Sequence, residues 1–160
     1  MRNIRQAWKF WLLPLLWMIV IFSASADGQS AHHSSRIFEP LMHWLFPQMS
    51  PLRIGEIQYL FRKCMHLTEF AVLAGLLWWA LRHTKGTAAG PWQWSDAGQV
   101  LILVVLYAAS DEIHQAFIPS RTGRFSDVLV DTAGGAIGLG WLWLWGKMCK
   151  MRIARRGGMA

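Results

Sequence analysis

His66 and Glu69 stand three residues apart, and Ser110, Asp111, Glu112, His114, Gln115, Arg121, Arg124, Asp127 and Asp131 follow in close order further along the chain. These residue types support three kinds of chemistry. The imidazoles and carboxylates His66, Glu69, Asp111, Glu112 and His114 are candidates for general acid and base work. His66, Glu69, Glu112 and His114 are also candidate ligands for a divalent metal such as Zn, Mn or Mg, the one cofactor class the set suggests. Ser110, Gln115, Arg121, Arg124, Asp127 and Asp131 are candidate ligand-binding residues, the guanidinium forks being suited to a phosphate or carboxylate. No HExxH zinc spacing and no GxSxG nucleophile elbow occurs, so neither a metal nor a serine nucleophile has a motif behind it.

The elements that carry these residues are apolar enough to cross a membrane. Of the 160 residues 54% are hydrophobic and only 16% charged, against about a quarter in a soluble domain. That composition excludes intrinsic disorder and argues against a soluble fold. Four apolar runs, at 10–26, 64–81, 97–117 and 128–146, approach the length of a bilayer-crossing helix. Helices are the default for such runs, because lipid offers no partner to an unpaired backbone group. The expected architecture is all-α, a polytopic membrane protein with four transmembrane helices in one domain over residues 1–160. Pro14 predicts a kink in the first span, and Gly134 and Gly138, four apart, let a neighbouring helix approach.

Charge sets the orientation. Arg2, Arg5, Lys9, Arg82, Lys85, Lys147, Lys150, Arg152, Arg155 and Arg156 all fall on one side of the predicted spans, ten of the 16 Lys and Arg residues. The positive-inside rule then places both termini in the cytoplasm. Nine of the 11 Trp residues lie near the same ends, as an interfacial belt does. The basic tail reads as a contact with anionic lipid, not nucleic acid. Cys64 and Cys149 fall on opposite sides, so they cannot form an intramolecular disulfide. The basic start and Ala24-Ser25-Ala26 also resemble a secretory signal with its cleavage site. In the intervening loop Ile37, Leu41, Trp44 and Leu45 have helical spacing, so a short interfacial helix is expected over 37–46, with Pro40, Pro47 and Pro51 limiting it.

With the helices alternating in direction, His66 and Glu69, then Ser110 to Gln115, then Asp127 and Asp131 all arrive at the outer leaflet. Ionisable groups inside a membrane are costly and mark function by default. Mutual pairing, Arg121 with Asp127 or Asp131 and His66 with Glu112, accounts for part of the set without any ligand.

These residues also carry a resemblance. FSAS at Phe22 to Ser25, HLTEFAVLAGLL at His66 to Leu77, and above all SDEIHQAFIPSRTGRFSDVLVDTAGGAIG at Ser110 to Gly138 resemble the VanZ-like family of small bacterial membrane proteins. The family takes its name from a member associated with resistance to the glycopeptide teicoplanin. The resemblance implies a multi-span protein with its first helix retained and a role in the cell envelope. Three functions follow as expectations. One is binding of an anionic or lipid-linked envelope precursor, or of a glycopeptide, at the outer pocket. Another is a membrane-embedded hydrolase or transferase acting on a lipid head group, with or without a metal. The third, a transporter or channel subunit, is disfavoured by only four spans and no inverted repeat.

Overall fold

The computed structural model describes residues 7–26, 30–117 and 124–157. They form five helices: α1 (Trp8–Ala26), α2 (Ser30–Leu45), α3 (Pro51–Lys85), α4 (Trp94–Ala116) and α5 (Phe125–Gly157). There is no strand among the described residues. Four of the helices, α1, α3, α4 and α5, are long and apolar enough to span a membrane. Arg121, with Arg2 and Arg5, lies outside the described residues.

Two helices run well past the apolar segments that announced them. α3 begins at Pro51, not near Cys64, and α5 continues past Gly146. The reason is physical. Arg53, Glu56, Arg62 and Lys63, and later Lys147 and Lys150, end the apolar run, but none of them breaks a helix. Ser50 starts α3 with an extended backbone (φ −68°, ψ 148°) and Pro51 takes the first helical position, where its missing N–H costs nothing. Gly86 ends α3 at φ 73°, a left-handed conformation natural to glycine, while its N–H donates to the His83 carbonyl.

α2 extends the expected short helix back to Ser30, and Pro40 sits inside it instead of ending it. A proline removes one backbone bond, which α2 tolerates because it packs on the start of α3: Met42 is buried and the Phe38 and Phe61 rings lie 5.7 Å apart.

α3 is the central element and touches every other helix. Its residues Phe70, Leu73, Ala74 and Leu77 meet Val100, Val104 and Ala108 of α4, Leu139 of α5 and Ile21 of α1 in the core. On α5, Gly134 and Gly138 lie against the backbone of α3. A Cβ at either would fall 2.5 Å from a carbonyl oxygen, that of Leu67 or that of Ala71. This is the close approach the glycine spacing predicts.

One end of the bundle is tied by a charge cluster. Arg82, buried in the last turn of α3, reaches Asp96 in the first turn of α4 at 3.2 Å and donates to the carbonyls of Gly90 and Pro91, each at 2.9 Å. Lys85 meets the other Asp96 oxygen at 2.6 Å. The Arg82 guanidinium lies 5.2 Å from the Trp78 ring, which stacks on Trp92 at 4.1 Å. Two basic residues that signal orientation in the sequence are thus also a structural clamp on the α3–α4 turn.

Gly134→Ala is expected to destabilise the protein by about 1–3 kcal/mol, as an overpacked contact does. Gly98→Ala, where an added Cβ meets nothing within 4 Å, is expected to be neutral or stabilising by up to about 1 kcal/mol. Unfolding curves in detergent compare the two; equal effects would disprove the backbone contact.

Candidate functional site

At the end of the bundle opposite the Arg82 clamp, polar side chains from four helices meet. α1 brings Ser25 and α3 brings Lys63, His66 and Glu69. α4 brings Asp111, Glu112 and Gln115, and α5 brings Asp127 and Asp131. Helical periodicity explains the grouping, since residues three or four apart share a face. His66 and Glu69 do so on α3, Asp111 and Gln115 on α4, and Asp127 and Asp131 on α5.

Asp111 is the anchor, only 1% exposed. Its Oδ2 accepts from Ser25 Oγ at 2.8 Å and from Gln115 Nε2 at 2.8 Å. Its Oδ1 is buried with no hydrogen-bond partner. Asp131, likewise buried, has Oδ1 at 3.4 Å from His66 Nδ1. That distance suits charge attraction better than a well-formed hydrogen bond, and Nδ1 still has donor or acceptor capacity to spare. The Glu69 carboxylate lies within electrostatic reach of His66, Asp131 and Asp111. Its backbone carbonyl accepts from Trp17 Nε1 at 3.0 Å, which holds α1 against this level of α3.

The remaining carboxylates close the end of the bundle. Glu112, one residue on from Asp111, is rotated by about 100° around the helix. It therefore turns toward the start of α5, where it accepts the backbone N–H of Arg124. Asp127, in the first turn of α5, pairs with Lys63 and accepts from Ser126 Oγ at 3.2 Å. The helix N-terminus favours a negative group at that position.

Three expected site residues stand apart from this cluster. Ser110 is exposed and its hydroxyl donates to the Tyr107 carbonyl of its own helix. His114 stacks on Phe22 of α1, with ring centroids 4.2 Å apart and a buried Nε2 without a partner. The Arg124 side chain is exposed beside the cluster. Arg121 falls outside the described residues.

The pairings also differ from those expected. His66 meets Asp131 instead of Glu112, and Asp127 meets Lys63. The phase of Glu112 accounts for the first difference. For the second, Lys63 belongs to the helical extension of α3, which the apolar run does not reveal. Ser25 was a candidate for no role, although it lies in the FSAS segment that marks the end of α1.

Among the described residues no three His, Cys, Asp or Glu side chains are placed to hold a metal ion together. Of the four metal candidates, His66 and Glu69 lie side by side on α3. Glu112 is engaged by Arg124, and His114 faces Phe22. The chemistry of the described site is that of an acidic, partly unsatisfied acceptor cluster. Five carboxylates face one lysine and one histidine, and at least one buried oxygen has no donor.

The VanZ/LLP1 family model matches residues 10–146. That stretch contains every residue of the cluster. No curated protein and no solved structure matches the chain.

Asp111→Ala strands the Ser25 hydroxyl and the Gln115 amide and is expected to cost about 1–3 kcal/mol of stability. Ser25→Ala is expected to cost about 1 kcal/mol. The double variant should lose less than the sum of the two, with a coupling of about 0.5 kcal/mol or more in a double-mutant cycle. Strict additivity would contradict the contact.

Proposed function

The chain belongs to the VanZ/LLP1 family and is a multi-pass membrane protein, and from that premise we propose that it binds the head group of a lipid-linked envelope component at the acidic end of its bundle. The buried, half-unsatisfied Asp111 carries this reading. A carboxylate is costly in lipid, and a buried oxygen with no donor inside the chain supports a role for a donor supplied by a ligand that enters the cluster. Hydroxyls and amines of a sugar- or peptide-bearing head group are such donors. Arg124, exposed at the rim, and Arg121 in the same connection supply the anion-binding partners for the linking phosphate. Holding such a precursor changes its availability at the outer leaflet, which is a route to altered glycopeptide susceptibility. The site then faces outward from the bacterial cytoplasmic membrane with both termini in the cytoplasm, as the Lys and Arg distribution favours.

A second reading has one observation in its favour. The His66–Asp131 pair orients an imidazole as a general base is oriented, and a hydrolase or transferase of the same head group would use it. The two separate cleanly: under the binding reading His66→Ala affects affinity without any turnover to lose, while an enzyme turns over labelled lipid and loses that activity in the variant.

Direct titration of a lipid-linked disaccharide-peptide into the purified protein tests the binding reading. Arg124→Ala combined with Asp131→Asn is expected to weaken binding at least tenfold, about 1.4 kcal/mol. Unchanged affinity sinks the assignment. Orientation is tested with thiol labelling in a Cys64→Ser background. Gln48→Cys, in the exposed α2–α3 turn, should react with an impermeant reagent on intact spheroplasts. Cys149, exposed near the end of α5, should react only after lysis; the reverse pattern inverts the topology.

A further inference from the structure

Away from the polar cluster, α4 and α5 leave a groove of about 310 Å³ between them at the tryptophan-rich end of the bundle. Its floor is made of small residues, Ala97 and Gly98 of α4 with Ala136 and Gly140 of α5, and its frame of Trp92, Trp94 and Trp143. The glycines here differ from Gly134 and Gly138. An added Cβ at Gly98 or at Gly140 meets nothing within 4 Å. Glycine inside a helix costs up to about 1 kcal/mol relative to alanine, and no contact within the chain requires it at either position. What the two glycines do is keep one groove open.

The groove's surroundings specify an occupant. Its lining is almost wholly apolar, which suits a hydrocarbon chain and no polar ligand. The three indoles touch one another in sequence, Trp92 to Trp94 at 5.7 Å and Trp94 to Trp143 at 5.9 Å, forming the kind of collar that sits at a membrane interface. The Trp92 Nε1 is buried and has no hydrogen-bond partner, and a lipid ester carbonyl is an acceptor of the right kind. One turn beyond Trp143, Lys147 lies with its Nζ 4.0 Å from the Trp143 ring centroid. It has no carboxylate at ion-pair distance among the described residues. No acidic residue follows Asp131 in the sequence, whereas Lys147, Lys150, Arg152, Arg155 and Arg156 do. Positive charge at this end is uncompensated by the chain itself.

We propose that the α4–α5 groove is a binding site for an anionic phospholipid, one acyl chain lying over Gly98 and Gly140 and the phosphate meeting Lys147, with Lys150 exposed on the same helix end. The site is independent of the polar cluster and of the function assigned to that cluster. A neutral lipid satisfies the groove but not the lysine, so head-group charge decides between lipids of equal chain length.

Native mass spectrometry of the full chain in mild detergent, with phosphatidylglycerol and phosphatidylcholine of matched chains as probes, tests this. Phosphatidylglycerol is expected to be retained about fivefold better. Gly98→Leu or Gly140→Leu fills the groove and should reduce its retention severalfold, with helicity kept and melting not lowered. Lys147→Gln, on an exposed side chain with no carboxylate at ion-pair distance among the described residues, should bring the two lipids toward equal retention while leaving the phosphatidylcholine level unaltered. Equal retention of both lipids by the unsubstituted protein overturns the proposal, as does undiminished phosphatidylglycerol on the Gly98→Leu protein. A dimer that Gly98→Leu dissociates overturns it in favour of a second copy of the chain as the occupant.

Discussion

The approach of α5 to α3 at Gly134 and Gly138 is the contact on which the polar end of the molecule depends. Without a hydrophobic driving force between helices in lipid, close van der Waals packing has to hold them together. Small residues allow that closeness. The two helices run parallel, and Gly134 on Leu67 and Gly138 on Ala71 share one register. That register puts Asp131 level with His66 and Asp127 level with Lys63. A slip of one residue would rotate Asp131 by about 100° and leave it unpaired in lipid. The packing and the charge pairs therefore select the same alignment, the agreement between levels expected of a sequence with one native state.

The two ends of the bundle treat buried charge differently. At the α3–α4 turn, Asp96 is met by both Arg82 and Lys85, and Arg82 has two backbone carbonyls as well. Every strong charge there has a partner, and the arrangement holds a turn closed. In the cluster at the other end, five carboxylates stand with one lysine and one histidine among the described residues, and Asp111 keeps an oxygen without a donor. A purely structural cluster gains nothing from an unsatisfied buried acceptor, which costs stability that pairing would recover. The contrast within one molecule sets a charge clamp closed on itself against an acceptor cluster left partly open, which is what the proposed binding role requires.

The sequence discloses much of this, and its failures have a common cause. Four spans, the Trp-rich basic ends and the convergence of His66, Asp111 and Asp131 are legible because hydropathy and helical phase are local properties. What stays hidden depends on geometry across helices. Lys63 looks like a flanking charge until α3 is seen to start at Pro51, and Ser25 reads only as the polar end of the first span until α1 is seen to carry it against Asp111. Arg82 and Lys85 obey the positive-inside pattern so well that their pairing with Asp96 leaves no separate trace in the sequence. Glycine spacing picks out Gly134 and Gly138, which do pack closely, but does not say which helix they meet, and it gives no role to Gly98 and Gly140, where an added Cβ meets nothing.

The depth of the polar cluster bears on what it can meet. His66 and Arg82 mark the two charged levels on α3, and at 1.5 Å per residue they are about 24 Å apart. On α4 the corresponding residues, Asp111 and Asp96, are separated by about 22 Å. The hydrocarbon core of a bilayer is about 30 Å thick. If the molecule is centred, each charged level lies roughly 3–4 Å inside the edge of that core. A group at that depth is beyond easy contact with a solute in bulk water, yet within reach of the phosphate and first sugar of a lipid held in the leaflet. It is also shallow enough that Lys63, three residues before His66 on α3, reaches the interface and keeps its charge at low cost. For the proposed lipid-linked ligand, this depth favours arrival through the membrane over arrival from bulk water. The α2–α3 hairpin continues above this level, with Met42 and Ile54 buried in it, and stands between the cluster and the water beyond that end of the bundle.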